Sequence, residues 1–179
     1  MAMTIHEDLQ SISGDWLELE ALPTASVHQS MAWSRAWSEV AGTEVCVLDY
    51  SHRGTRIILP LELKSAAFAR LARPLGTKFS NLNAPLAQLS TDFDHEHFLH
   101  SVAYALTDYA DLLLVGSSVL SWRGQDNPLR GMSRIPRVNP SFQLELEPTM
   151  ESTIAKLDAK KRMKLQRASK RRLEAAGGW

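Results

Sequence analysis

Cysteine is nearly absent: Cys46 is the only one in 179 residues. An intramolecular disulfide is therefore excluded, and a cysteine-based zinc site lacks ligands. Long apolar runs are missing too. None approaches the roughly 20 residues that a membrane helix needs. The first ten residues, MAMTIHEDLQ, carry neither a basic stretch nor an apolar one. No secretory signal is expected from them, and the cytoplasm is the expected compartment. Net charge is absent as a total, with 20 Lys+Arg against 20 Asp+Glu. Neither GxGxxG nor GxxxxGK[ST] occurs, so a glycine-rich phosphate cradle is not expected. The zincin spacing HExxH is absent, and nothing reproduces the G-x-S-x-G elbow of serine hydrolases.

The neutral total hides an asymmetry. Residues 1–150 hold 11 Lys+Arg and 17 Asp+Glu, whereas residues 151–179 hold nine and three. The first segment is therefore at −6 and the last at +6. Such a split points to an anionic partner for the tail, or to an acidic face that receives it. The rest of the composition, 44% hydrophobic and 22% charged, is that of an ordinary globular domain with an appendage.

Ile5, Leu9, Ile12, Trp16, Leu19 and Leu22 recur at helical spacing, which predicts a helix over 5–22 with a break and N-cap at Gly14-Asp15. Ser30 can cap a second helix over 31–41, with Trp33 and Trp37 one turn apart and Gly42 as its stop. Glu44–Tyr50 and Thr55–Leu63 read as a hairpin around Ser51-His52-Arg53-Gly54, with Pro60 marking an edge or a bulge. A strand is expected over 68–76 and a loop over 78–85. A helix capped by Asp92 or Asp94 should run to about Asp108, followed by a short buried strand over 112–115. Residues 116–140 read as loop, and Phe142, Leu144 and Leu146 as a half-exposed strand. Thr149 caps the terminal helical segment. The order predicts an α+β sandwich, with helices on a mixed sheet and a basic helix at the C-terminal end. The domains are read as 1–148 and a connector over 149–179.

Few side chains suggest chemistry. Asp92, Asp94, His95, Glu96, His97 and His100 are the densest group of possible metal ligands, but their spacing fits a solvated first helical turn better, and no metal is assigned. Cys46 lies in an apolar run and reads as a buried strand residue. Trp122, with Arg123 and Arg130, has the character of an exposed loop contact. The basic segment over 156–172 admits three readings. A nucleic-acid arm would bind phosphates in a salt-dependent way, but no aromatic interleaves for base stacking. A membrane-surface helix would need a continuous apolar face, and Lys161 and Arg172 interrupt this one. The favoured reading is an interdomain helix that lays down Ile154, Leu157 and Leu165 and carries its charges to a second domain or an anionic substrate. Lys161, Arg162, Arg167 and Arg171 are the candidate contacts, with Trp33 and Trp37 as supports.

An ordered set of motifs carries a resemblance. It runs Trp16-x-x-Leu19, Gln29-Ser30-x-x-Trp33-x-x-x-Trp37, Leu59-Pro60-Leu61, Leu75-Gly76 and Ala84-Pro85-Leu86. It ends on Lys161-Arg162-x-Lys164-Leu165-x-Arg167-x-x-Lys170-Arg171-Arg172-Leu173-Glu174-x-x-Gly177. The set resembles the N-terminal half of GNAT-like acyltransferases associated with bacterial cellulose and exopolysaccharide biosynthesis. These are related in fold to Fem-type aminoacyltransferases. The resemblance implies a GNAT-type sheet and transfer of an acyl group from acetyl-CoA or another acyl-CoA to an amine or hydroxyl. It also implies a second GNAT-like domain holding most of the donor site. The chain carries Ser80-Asn81-Leu82-Asn83 where that family often has an acidic or aromatic loop. No catalytic residue is assigned.

Overall fold

A computed structural model describes residues 3–77, 79–80, 82–133 and 147–175. The chain divides into two compact units, Met1–Pro136 and Arg137–Trp179. The first opens with β1 (Met3–His6), α1 (Ser13–Glu20), a 3₁₀ turn at Val27–Gln29 and α2 (Met31–Ala41). Then come β2 (Glu44–His52), β3 (Thr55–Ala66), β4 (Ala69–Pro74), β5 (Leu86–Gln88), α3 (His95–Leu106) and β6 (Leu112–Leu113). A two-stranded ribbon, β7 (Ser121–Trp122) and β8 (Gln125–Asp126), follows. The main sheet has the order β1-β2-β3-β4-β6, with β5 also on β3. All pairs are antiparallel except β4–β6, which is parallel and joined across α3. This is the expected α+β architecture, a mixed sheet flanked by helices.

The apolar run Ile57-Ile58-Leu59-Pro60-Leu61 shows why the sheet is central. Successive strand residues face opposite sides. Ile57, Leu59 and Leu61 pack with Cys46, Leu48, Phe98, Val102 and Leu106. Ile58 packs on the other side with Trp16, Leu19, Met31 and Val47. Both faces of β3 are thus covered, and the strand reads as a continuous apolar run rather than an alternation. The β2–β3 turn is tighter than the sequence suggests. Only Arg53 and Gly54 lie outside the ladder, at φ 47° and 76°, as a two-residue hairpin turn requires.

Pro60 is neither at the sheet's outer edge nor at a bulge. It lies within β3, opposite Val47 of β2. Its carbonyl accepts from Leu75 N at 3.0 Å, so its missing N–H points to the β4 side. There β4 leaves the ladder at Leu75, and β5 joins it again at Leu86, opposite Ile58. Proline is tolerated because no partner is waiting.

Other expectations are corrected. Residues 3–6 form a strand against Val47–Tyr50 instead of the start of a helix; a four-residue ladder outweighs a helical spacing that has no cap to begin it. Helix α1 begins at Ser13 after Ile12, and Asp15 sits in its first turn rather than at its N-cap. The strand at Leu112 is shorter than expected and not buried: Leu112 is 52% exposed, because β6 pairs only with β4 and lies last in the sheet order. Strand β5 and the β7–β8 ribbon were not expected; each is only two or three residues long, too short for a periodic signal.

Helix α2 matches its signals. Ser30 Oγ accepts from Trp33 N at 3.1 Å, and Gly42 closes the helix at φ 55°. Asp94 caps α3 by accepting from His97 N at 3.0 Å. In the second unit, Thr149 caps α4 (Met150–Ala155), and α5 spans Ala159–Ala175. The terminal helical segment is thus two helices, with the basic stretch mostly in the second, separated where the Asp158 side chain accepts from Lys161 N at 2.8 Å. The strand expected at Phe142, Leu144 and Leu146 lies outside the described residues.

Phe98, 1% exposed, fills the α3 side of the core. Phe98→Ala should cost about 3–5 kcal/mol of unfolding free energy in urea, whereas Val40→Ala, on the exposed face of α2, should stay within about 0.5 kcal/mol.

Candidate functional site

In sheets with a parallel pair and a crossover, ligand crevices form outside the carboxyl ends of the strands. Here those ends are Pro74-Leu75-Gly76 after β4 and Leu114–Gly116 after β6. The last ladder bond runs from Leu114 N to Ala72 O, at 2.9 Å. Leu75 stays on β3, while the β6 side passes to Gly116 and Ser117. Asn83 spans the gap: its N–H donates to Ser117 O at 3.2 Å, and its Nδ2 donates to Gly116 O. Gly76 is required twice over. Its φ is +75°, and a Cβ there would stand 3.0 Å from Trp33 Nε1.

Helix α2 sets Trp33 and Trp37 beside these ends. Both are half-buried. The Trp37 indole donates to Glu62 Oε2 at 3.1 Å. Arg73, opposite Glu62 in the β3–β4 register, donates to Oε1 at 2.6 Å, and Lys64 Nζ stands 3.8 Å from the same oxygen. Glu62 is 2% exposed, so its charge is tolerable only because both oxygens are engaged. It serves as an anchor rather than as a free general base. The sequence reading missed it: a single Glu at the end of an apolar strand looks like the start of a solvated stretch. Trp37 also meets Phe79, and Trp33 meets His28 edge-on, each at 5.2 Å between centroids. Trp33 Nε1 and Arg73 Nε are buried without a hydrogen-bond partner.

The other candidates are occupied structurally. Cys46 is fully buried, and burial, with smaller help from Glu7 and Glu44, pushes its thiol from 9.0 up to about 11. It is no nucleophile at neutral pH. Tyr50 Oη and His97 Nδ1 are 2.9 Å apart, and His97 stacks on His52. Asp94 is held below the usual carboxylate range by the His97 N–H of the cap. Among the described residues, no group of three or more His, Cys, Asp or Glu is placed to hold a metal. Trp122 donates to Thr24 O at 2.9 Å under the Arg123 guanidinium, so it clamps the segment at 23–25, while Arg130 pairs with Asp126. The clefts beside Trp122 and beside Pro60 offer about 20 Å³ each, room for one water.

In the second unit, α5 has no buried residue. Lys161 is tied to Asp158, with Nζ 3.4 Å from Oδ2, and Arg162 Nη1 reaches Ala155 O at 3.4 Å. These two stabilise the start of the helix. Arg167 and Arg171 are exposed one turn apart on one face. Among the described residues, no helix is long and apolar enough to cross a membrane. Compared with family models, curated proteins and solved structures, the chain matches none.

The thiol's folded pKa lies above its unfolded value, so the folded state keeps a proton that the unfolded state releases. Stability should therefore hold below pH 9 and fall between pH 9 and 11, by on the order of 2 kcal/mol from Cys46. Tyr50, pushed up chiefly by burial, adds loss in the same direction at higher pH. Urea unfolding from pH 8 to 11 should show the decline, and Cys46→Ala should remove the thiol's share.

Proposed function

We propose that this chain is the N-terminal GNAT-like module of an acyl-CoA-dependent N-acyltransferase, of the kind associated with cellulose and exopolysaccharide biosynthesis. It works with a second GNAT-like domain of the same protein. The supporting observation is the mixed sheet: antiparallel from β1 to β4, then parallel at β4–β6 across α3, with helices on both faces. Trp33 and Trp37 support the carboxyl end of β4, and Leu75-Gly76 turns the chain there.

Acyl transfer needs a base to take the amine proton and N–H donors for the oxyanion. Glu62 and Cys46 are both unsuited to serve as that base, and the two water-sized clefts do not accommodate an acyl-CoA. The reading therefore assigns the donor site mainly to the second domain. Lys161, Arg162, Arg167 and Arg171 are assigned to interdomain or acyl-donor contact.

A second reading has one observation in its favour. Helix α5 carries eight Lys and Arg against one Glu, with every side chain but Arg162 in the exposed class. This suits a polyanion such as nucleic acid.

Calorimetry with acetyl-CoA separates the two. Residues 1–179 alone should give no micromolar binding, whereas the polypeptide that also carries the second domain should bind. Micromolar binding by the chain alone overturns the division of labour, and no binding by either overturns acyl transfer. On the polyanion reading, labelled duplex DNA should bind the chain at 50 mM salt and lose affinity steeply by 200 mM. Arg167→Ala with Arg171→Ala should lower the log–log salt slope by about 2.

A further inference from the structure

Helix α5 has no buried residue, but its cations are not equivalent. At 3.6 residues per turn, Lys160, Lys164, Arg167 and Arg171 fall within about 60° of arc, as one row about 16 Å long. All four are exposed. Among the described residues, none of the four has an acidic partner. Of the four cations of α5 outside the row, three are engaged close by: Lys161 with Asp158, Lys170 with Glu174, and Arg162 with Ala155 O. Neighbours along the row stand about 5–6 Å apart, and like charges at that spacing work against a helix. A row of four unrelieved cations therefore favours an anion lying along it.

We propose that this row is a docking edge for the phosphate backbone of duplex DNA, which it binds without regard to sequence. The proposal rests on the polyanion reading above and narrows it from a whole helix to one edge, in which Lys160 and Lys164 take the place of Lys161 and Arg162. The arrangement of the helix chooses among anions. Leu165 and Leu173 lie on the side opposite the row, 50% and 41% exposed. A lipid surface needs cations beside the apolar side chains, not behind them. The row has no aromatic to stack on unpaired bases and no acceptor for a ribose hydroxyl. It offers only cationic donors, which position a protein on phosphates and carry no base information. Each phosphate that the row neutralises releases condensed counterions, so its grip weakens steeply with salt.

Fluorescence anisotropy of residues 1–179 with a short labelled DNA duplex, between 50 and 200 mM salt, tests the row. Two triple variants remove the same charge: Lys164→Ala, Arg167→Ala and Arg171→Ala on the row, and Lys161→Ala, Arg162→Ala and Lys170→Ala off it. Alanine is the best helix former, so both keep the helix, which circular dichroism checks. The row variant should lower the log–log salt slope by about 3, and the off-row variant by less than about 1. Lys164→Arg keeps the charge and should keep the slope. Two duplexes of unrelated sequence should bind within about twofold of each other. Equal losses in the two triple variants overturn the proposal and leave the polyanion reading standing. Tighter binding to duplex RNA, or to anionic phospholipid vesicles, than to the DNA also overturns it. No binding by the unaltered chain at 50 mM salt overturns the row and the polyanion reading together. Failed acetyl-CoA binding by the two-domain protein would strike the acyltransferase reading and leave the row standing.

Discussion

Everything in the first unit depends on β3 being buried on both faces. One strand must satisfy β2 along its whole length, β4 and β5 on its other edge, α3 on one side and α1 with α2 on the other. Cutting into Ile57, Leu59 or Leu61 disturbs the α3 layer, and cutting into Ile58 disturbs the other. The buried hydrophobic contact is continuous through the strand, so the two helical layers are coupled by its backbone rather than by any side chain that crosses.

Glu62 shows how that coupling is kept in register. Where β3 emerges from the apolar core, a buried carboxylate replaces the next apolar residue. It fixes α2 through Trp37 and β4 through Arg73. An apolar residue there would still cover area but would not choose one helix position among several. A charge that must meet two donors is more selective than a methyl group, at the expense of stability if either donor is lost. The unpartnered indole of Trp33, packed against Gly76, lies one turn back on the same helix.

Local signals made most of this fold legible in the sequence. The caps at Ser30, Asp94 and Thr149, the left-handed Gly42, the Arg53-Gly54 turn and the burial of Cys46 are each written within a few residues. What stayed hidden depends on distant partners. Strand β1 exists because Val47–Tyr50 is available to pair with it. Strand β5 exists because β3 has an edge left over, and Glu62 is buried because Arg73 and Trp37 reach it. The candidate residues follow the same division. In the first unit Trp33 and Trp37 could be picked out by spacing, and in the second Arg167 and Arg171 by charge. Asn83 could not, because an Asn in a polar loop shows nothing until Gly116 and Ser117 are beside it.

The place of Pro60 has a wider consequence. Strands β4 and β5 are collinear along one edge of β3, and the chain departs at Leu75 and comes back at Leu86 with only a proline-sized notch between. The residues between them are an excursion from an otherwise single strand, and β3 holds both of its ends whatever its length. Closing a longer excursion costs only about 0.6 kcal/mol per doubling. This spot can therefore lengthen, shorten or change its composition while the sheet keeps its register. Variation that would be destructive one strand away is cheap here.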